Sequence, residues 1–149
     1  MKFSNFGSAM LFAALLISSC GKDTTTVIDS SKPQGTFTAA KTGIFVAQNG
    51  TNSAGTASLG TDASGVQFLK LGSDFTSVFA TGTLSVYLST SMTYTADPGA
   101  GNPDLKLLGI STKAGETYFK IDPIAASKFT HVILWCGSAV IPFGYAELK

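Results

Sequence analysis

Two cysteines, one histidine and three methionines are the residues of this 149-residue chain that could support metal, redox or nucleophilic chemistry. Blue copper needs two His and one Cys, an iron–sulfur cluster needs about four thiolates, and covalent haem needs a Cys-x-x-Cys-His run. A zinc site uses about three or four nitrogen or sulfur ligands. The chain offers none of these sets, so we expect no metal and no cofactor. A noncovalent haem held by His131 and Met92 is the alternative that the composition leaves open.

His131 and Cys136 form one pair that could act as base and nucleophile. They are five residues apart in what is typical of a single strand, so an odd spacing puts them on opposite faces, roughly 16 Å apart along the strand. No Ser lies in a Gly-x-Ser-x-Gly elbow either. We therefore predict no catalytic residues and no self-sufficient enzyme. Cys136 shares its face with Val132 and Leu134, which favours a buried structural thiol as the alternative to a reactive one.

The other thiol, Cys20, follows a short signal-like segment. Lys2 precedes a nine-residue apolar run over 9–17, which spans about 14 Å as a helix and is too short to cross a bilayer core of about 30 Å. Leu16-Ile-Ser-Ser-Cys20 resembles the lipobox of bacterial lipoproteins, in which the cysteine thiol is alkylated by lipid and becomes the first mature residue. The sequence predicts a signal peptide over 1–19 and a lipidated Cys20. A plain secreted protein with a free Cys20 thiol is the alternative.

Residues 20–35 are polar and rich in Ser and Thr, which is typical of a tether. Beyond residue 19 nine Lys balance nine Asp and Glu, and the chain has no Arg. A chain without a basic excess is poorly suited to nucleic acid, so we expect no nucleic-acid partner. The expected location is the bacterial cell envelope, on the periplasmic or surface side, with the membrane contacted through Cys20.

Apolar residues from 36 to 149 recur at every second position between turn residues, which predicts one all-β domain, an antiparallel sandwich or barrel of about eight strands. In 84–89, for example, Leu84, Val86 and Leu88 alternate with polar or aromatic residues. The Pro- and Gly-rich stretch 95–104 predicts a long connection. The expected strands are 37–46, 55–60, 65–71, 84–89, 104–110, 117–122, 129–136 and 139–148.

Two further groups have an ordinary and a functional interpretation. Asp97, Asn102 and Asp104 are hard oxygen ligands in the long connection, but their spacing fits no EF-hand and a solvated turn explains them. Trp135 is expected to pack in the core, with carbohydrate stacking as the alternative.

The C-terminal stretch resembles the DM-thirteen domain, also called the electron-transfer DM-thirteen domain, an all-β extracellular module found beside DOMON domains in animal proteins. The resemblance rests first on Trp135-Cys136 followed by Phe143-Gly144, Ala146 and Leu148. The other matching segments, in chain order, are Gly35-x-Phe37, 68–71 with Asp74-Phe75, 84–89, 107–109 and 115–118.

The resemblance implies a β-sandwich-like module whose single cysteine, here Cys136, takes part in redox or electron transfer with a protein partner. A sulfenate or a mixed disulfide with that partner is the expected product, because one thiol has no internal resolving Cys. Polar or basic residues are expected just after this cysteine, but Gly137 and Ser138 occupy these positions here. A cation there would lower the thiol pKa, so its absence weakens the redox interpretation. A ligand- or protein-binding β-domain without redox activity is the second hypothesis.

Overall fold

The computed structural model describes residues 28–95 and 101–149, and these residues form an all-β, antiparallel, nearly closed barrel. The predicted signal peptide, Cys20 and Asp97 lie outside the described residues. Eight strands are present within them: β1 (Thr38–Ala47), β2 (Thr56–Thr61), β3 (Gln67–Leu71), β4 (Leu84–Ser89), β5 (Leu105–Ser111), β6 (Thr117–Ile121), β7 (His131–Cys136) and β8 (Ile141–Glu147). The all-β class and the strand number predicted from alternation are therefore confirmed.

The strands hydrogen-bond in the order β5-β4-β7-β8-β1-β2-β3-β6. The long β1 joins the two halves of the sheet, because its first part pairs with β2 and its last three residues pair with β8. A register shift between Ala39 and Lys41 marks a bulge in β1, which bends the sheet. The edge strands β5 and β6 follow one another in the chain, so the short connection 112–116 brings the two edges together.

The interior is filled by the side chains that alternate inward along each strand. In β7, Val132, Leu134 and Cys136 are fully buried and face inward, while His131 and Trp135 are half-buried on the outer face. Ile133, also on the outer face, is only 1% exposed. Strand β7 is therefore a central strand covered on both sides, as its apolar sequence predicts.

The described residues contain no helix long and apolar enough to span a bilayer.

Candidate functional site

The candidate site surrounds the sulfur of Cys136, the last residue of β7. The antiparallel ladders place Cys136 opposite Leu84 at the start of β4 and opposite Ile141 at the start of β8. The residues before β4 and the turn between β7 and β8 therefore meet at this end of the barrel. Polar groups from these two segments, which are more than 50 residues apart in sequence, converge on one thiol.

The β7–β8 turn, residues 137–140, closes over the sulfur with its backbone. The Ala139 amide donates to Cys136 Sγ at 3.4 Å, and Ser138 Oγ lies 3.4 Å from the same atom. The Val140 amide donates to the Cys136 carbonyl oxygen at 2.9 Å, which closes the turn. The conformation of this turn therefore places the Ser138 hydroxyl and the Ala139 amide next to the sulfur.

The segment before β4 supplies two threonine hydroxyls. Thr83 Oγ1 lies 3.7 Å from Cys136 Sγ, donates to Ser138 Oγ at 3.0 Å and accepts from the Ser138 amide at 3.2 Å. Thr81 Oγ1 is buried and makes no hydrogen bond of regular geometry within the described residues. The two segments are tied together by Thr83, so the polar groups around the sulfur are held in place.

Opposing effects set the acidity of this thiol. Burial of the Cys136 sulfur raises its pKa, because a thiolate is poorly solvated in the barrel interior. The hydrogen bonds to the sulfur lower the pKa more, to about 6 from the ordinary value of 9.0. The polar groups that lower it, in decreasing order of effect, are the Ser138 hydroxyl, the Thr81 hydroxyl, the Ala139 amide and the Thr83 hydroxyl. Ser138 Oγ and the Ala139 amide lie within hydrogen-bond distance of the sulfur, whereas the Thr83 hydroxyl donates its proton to Ser138. A pKa of about 6 favours the thiolate at neutral pH, and hydrogen bonding rather than a charged side chain accounts for the lowering.

The sulfur has no direct path to solvent. Cys136 is 0% exposed and belongs to the hydrophobic core on its inner side, beside Leu84 and Leu134. The turn residues 137–140 cover the sulfur on the solvent side. All four are exposed, and the largest of them is Val140. A reagent can reach the sulfur only when this turn moves.

The structure keeps His131 apart from Cys136, as the odd spacing predicts. His131 lies at the opposite end of β7 on the outer face, where its Nδ1 is 2.9 Å from Thr130 Oγ1. Met92 is exposed in the loop after β4. The cavity of about 300 Å³ beside this loop is lined mainly by Ser and Thr with Asn102 and Asp104, and neither His131 nor Met92 lines it. These surroundings do not fit a haem.

The two described members of the oxygen-rich group brace their loop. Asn102 Oδ1 accepts the Asp104 amide at 2.9 Å, and the Asp104 carboxylate lies 3.6 Å from Lys128 Nζ. Among residues 28–95 and 101–149, no group of three or more His, Cys, Asp or Glu side chains is placed to hold a metal ion.

An aromatic cluster that the sequence did not reveal covers the outer face of β7. Tyr94 stacks on Trp135 with ring centroids 3.9 Å apart and planes 15° from parallel. Tyr87 contacts Tyr94 edge to face at 5.4 Å. The prediction that Trp135 packs in the core is therefore wrong, because its indole is half-buried on the outer face of β7 with one ring face covered by Tyr94. The one indication of this cluster in the sequence is that Tyr87 lies among the serines on the outward-facing side of strand β4.

Comparison with known proteins yields no match: no protein-family model, no curated protein and no solved structure matches the chain.

Proposed function

We propose that this chain is a lipid-anchored module of the bacterial cell envelope, of the DM-thirteen type, that exchanges electrons with a protein partner through Cys136. The lipobox-like sequence before Cys20 supports the anchor. The hydrogen-bonded thiol at the end of β7 supports the redox role, and it is the observation on which the proposal depends.

The thiolate is the reactive form of cysteine, and its supply at neutral pH depends on the pKa. A free thiol of ordinary pKa is only a few per cent ionised at pH 7. With a pKa of about 6, most of Cys136 is thiolate under the same conditions. A hydrophobic packing role requires no such ionisation, since a thiol packs well without it.

The exchange is a two-electron thiol–disulfide reaction. The Cys136 thiolate attacks one sulfur of a disulfide in the partner, a new S–S bond forms, and the other partner sulfur leaves as a thiolate. The partner disulfide is reduced and Cys136 is oxidised to the mixed disulfide. The thiolate of a second thiol then attacks the partner's sulfur in the mixed disulfide, so that a disulfide forms between the second thiol and the partner and Cys136 leaves as a thiolate. With Cys20 lipidated, Cys136 has no second thiol in its own chain to resolve it, so a partner is needed.

Oxidation by a peroxide is the second route to the same state. The thiolate attacks one oxygen of hydrogen peroxide, an S–O bond forms as the O–O bond breaks, the other oxygen leaves as hydroxide, and Cys136 becomes a sulfenic acid. A partner thiol then condenses with the sulfenic acid, releasing water and forming the mixed disulfide. Both routes require opening of the 137–140 turn.

The proposal is tested on the mature full-length chain in detergent. The rate of alkylation of Cys136 by a small thiol reagent is measured for the folded protein and for the protein in denaturant, with Cys136→Ser as the background. We expect the folded protein to react and dilute peroxide to block that reaction reversibly. A Cys136 that reacts only after unfolding contradicts the redox function.

The second candidate is a ligand- or protein-binding β-domain in which Cys136 only packs. It is favoured by the complete burial of the sulfur and by exposed apolar side chains on the outer face, among them Val46, Leu107 and Ile110. In this case Cys136→Ser lowers the stability of the fold and leaves partner binding intact. In the redox case, the same substitution abolishes the covalent complex with the partner in a non-reducing gel.

A further inference from the structure

The barrel has two distinct ends, and the chain enters at one of them. We call this the anchor end and define it as residues 28–37, the β2–β3 turn 62–66 and the segment 122–130. The Gln34 amide donates to Asp62 Oδ2 at 2.8 Å, and the Ala63 amide donates to the Gln34 carbonyl oxygen at 3.2 Å. The Ala125 amide donates to Gln67 Oε1 at 2.8 Å, which holds 122–130 beside the start of β3.

The candidate site lies at the other end, which we call the distal end and define as residues 81–83 and 137–140. Strand β1 starts at the anchor end, where Thr38 pairs with Thr61, and finishes at Ala47 opposite Gly144 of β8. Strand β8 begins three residues earlier at Ile141, which pairs with Cys136. The six residues of β7 span about 17 Å along the strand. Cys136 is thus separated from the anchor end by roughly the length of the barrel.

The distance between the predicted lipid site and the anchor end is short. Seven residues lie between Cys20 and Ile28, so fully extended they reach at most about 25–30 Å. The covalent chain therefore limits the anchor end to within about 25–30 Å of the predicted lipid site, whereas the distal end lies farther along the chain path by roughly the length of the barrel.

We infer that the anchored domain has a preferred orientation, with the anchor end nearer the lipid headgroups on average and the Cys136 end nearer the aqueous phase. The inference rests on the proposed lipidation of Cys20 and the proposed redox role of Cys136. It identifies the partner as a water-soluble or peripheral protein that presents a thiol or disulfide from the aqueous side. A reactant dissolved in the bilayer would face the wrong end of the barrel.

Both ends carry exposed apolar side chains, since Val140 at the distal end is 68% exposed, so the orientation depends on where the chain enters the barrel. Ile28 and Ile124 are 69% and 68% exposed at the anchor end, beside exposed Lys32 and Lys128. Apolar side chains next to lysines suit the headgroup region, where the lysine stem lies along apolar surface and the ammonium stays in water. The anchor end as defined holds two lysines against three aspartates, so it has no excess of positive charge to attract anionic lipid. The anchor, rather than charge, sets the orientation.

The distal end has a different character. The 137–140 turn carries no charge, and its four residues are small or of medium size and exposed. Once this turn opens, a protein sulfur approaching Cys136 meets no charged side chain from the turn.

Energy transfer in vesicles tests the orientation. In the lipidated full-length chain carrying Cys136→Ser, a single label is attached at Ser64→Cys, in the anchor-end turn, or at Ala139→Cys, in the distal turn. The proteins are reconstituted in phosphatidylcholine vesicles with an acceptor on the lipid headgroup. A second pair, Ser127→Cys and Gly137→Cys, samples the same two ends in case one variant misfolds.

We expect the Ser64→Cys and Ser127→Cys labels to transfer energy more efficiently, because they lie closer to the bilayer. Equal transfer from both ends, or stronger transfer from the distal labels, overturns the orientation while leaving the anchor in place. Failure of the unsubstituted chain to carry lipid, seen by mass spectrometry, overturns the anchor itself and with it the inference. Alkylation of Cys136 is measured separately and reports only on the redox function.

Discussion

At Cys136, burial and hydrogen bonding act on one sulfur in opposite directions, and the hydrogen bonds prevail. We expect the ultraviolet absorbance of the thiolate to titrate with a midpoint of about pH 6 in the folded protein and near the ordinary value of 9.0 in denaturant. Ser138→Ala removes the hydroxyl with the largest lowering effect and raises the folded midpoint. Ser64→Ala, an exposed serine in another turn, leaves it unchanged. A midpoint near that of an unfolded cysteine would contradict this account of the site.

The same pKa difference makes stability depend on pH. The folded thiol has the lower pKa, so between about pH 6 and pH 9 the unfolded chain binds more protons than the folded protein. The free energy of unfolding therefore rises with pH across this window, and the contribution is lost as the pH falls through about 6. Urea denaturation of the protein and of Cys136→Ala at both ends of the window measures it. Parallel pH profiles for the two proteins would show that the thiolate adds no stability.

The β7–β8 turn, which covers the sulfur of Cys136, contains one residue in an unfavourable backbone conformation. Val140 has a φ of 56°, a left-handed conformation that is costly for a β-branched residue. Its side chain is 68% exposed, so little packing offsets the cost. We expect Val140→Gly to stabilise the protein by about 0.5–1 kcal/mol, the relief of strain less the added entropy of Gly in the unfolded chain. Thermal unfolding checks this, and Ala139→Gly, at a neighbour without positive φ, should destabilise instead.

Strand β1 depends on two glycines where backbones cross closely. A Cβ at Gly60 would overlap the Thr38 carbonyl oxygen, and a Cβ at Gly43 would overlap the Glu147 carbonyl oxygen. Because backbone atoms cannot yield as a flexible side chain does, Gly60→Ala and Gly43→Ala should each destabilise the fold by about 1–3 kcal/mol or more. Gly137→Ala, whose nearest atoms would lie 3.9 Å away, serves as the control. Equal denaturation midpoints for all three would contradict the close approach.

Alternation in the sequence was enough to predict the strands, but not the pairing that closes the barrel. Inward residues such as Val86 and Leu134 repeat at every second position, so each strand is a local property. The pairing of β1 with β8 joins residues about 100 positions apart and has no local signal.

The residues of the candidate site likewise include some that the sequence indicates locally and some that only the fold brings together. Cys136 was singled out by its type, and Ser138 is visible in hindsight as a hydroxyl two residues later in a tight turn. The threonines come from a segment more than 50 residues away and were not predictable.

For the whole molecule, the chain before β1 is part of the folded structure. Asp62 accepts hydrogen bonds from the Gln34, Ser64 and Val66 amides at 2.8–2.9 Å, so one carboxylate holds both the β2–β3 turn and the incoming chain. The hydrogen bond from Gln34 has the largest effect and lowers the pKa of Asp62; burial opposes it, and the bonds from the turn amides also lower the pKa. A carboxyl with a lowered folded pKa stabilises the protein above its ordinary pKa, and this contribution is lost as the pH falls below it.

Removal of the chain up to Thr36 should therefore lower the free energy of unfolding most at neutral pH, where Asp62 is ionised, and least in acid, where Asp62 is protonated in both chains. The less stable short chain also reaches its unfolding midpoint earlier in an acid titration. Without the Gln34 amide the pKa of Asp62 moves back toward its ordinary value, and the acid unfolding midpoint rises to higher pH than in a chain that starts at Ile28. Asp62→Asn, which keeps the shape but not the charge, should remove the difference between the two chain lengths. Circular dichroism across an acid titration of the four proteins measures it. If the long and short chains unfold at the same pH, the hydrogen bond from Gln34 to Asp62 does not stabilise the barrel, and residues 28–36 are not a stabilising part of the fold.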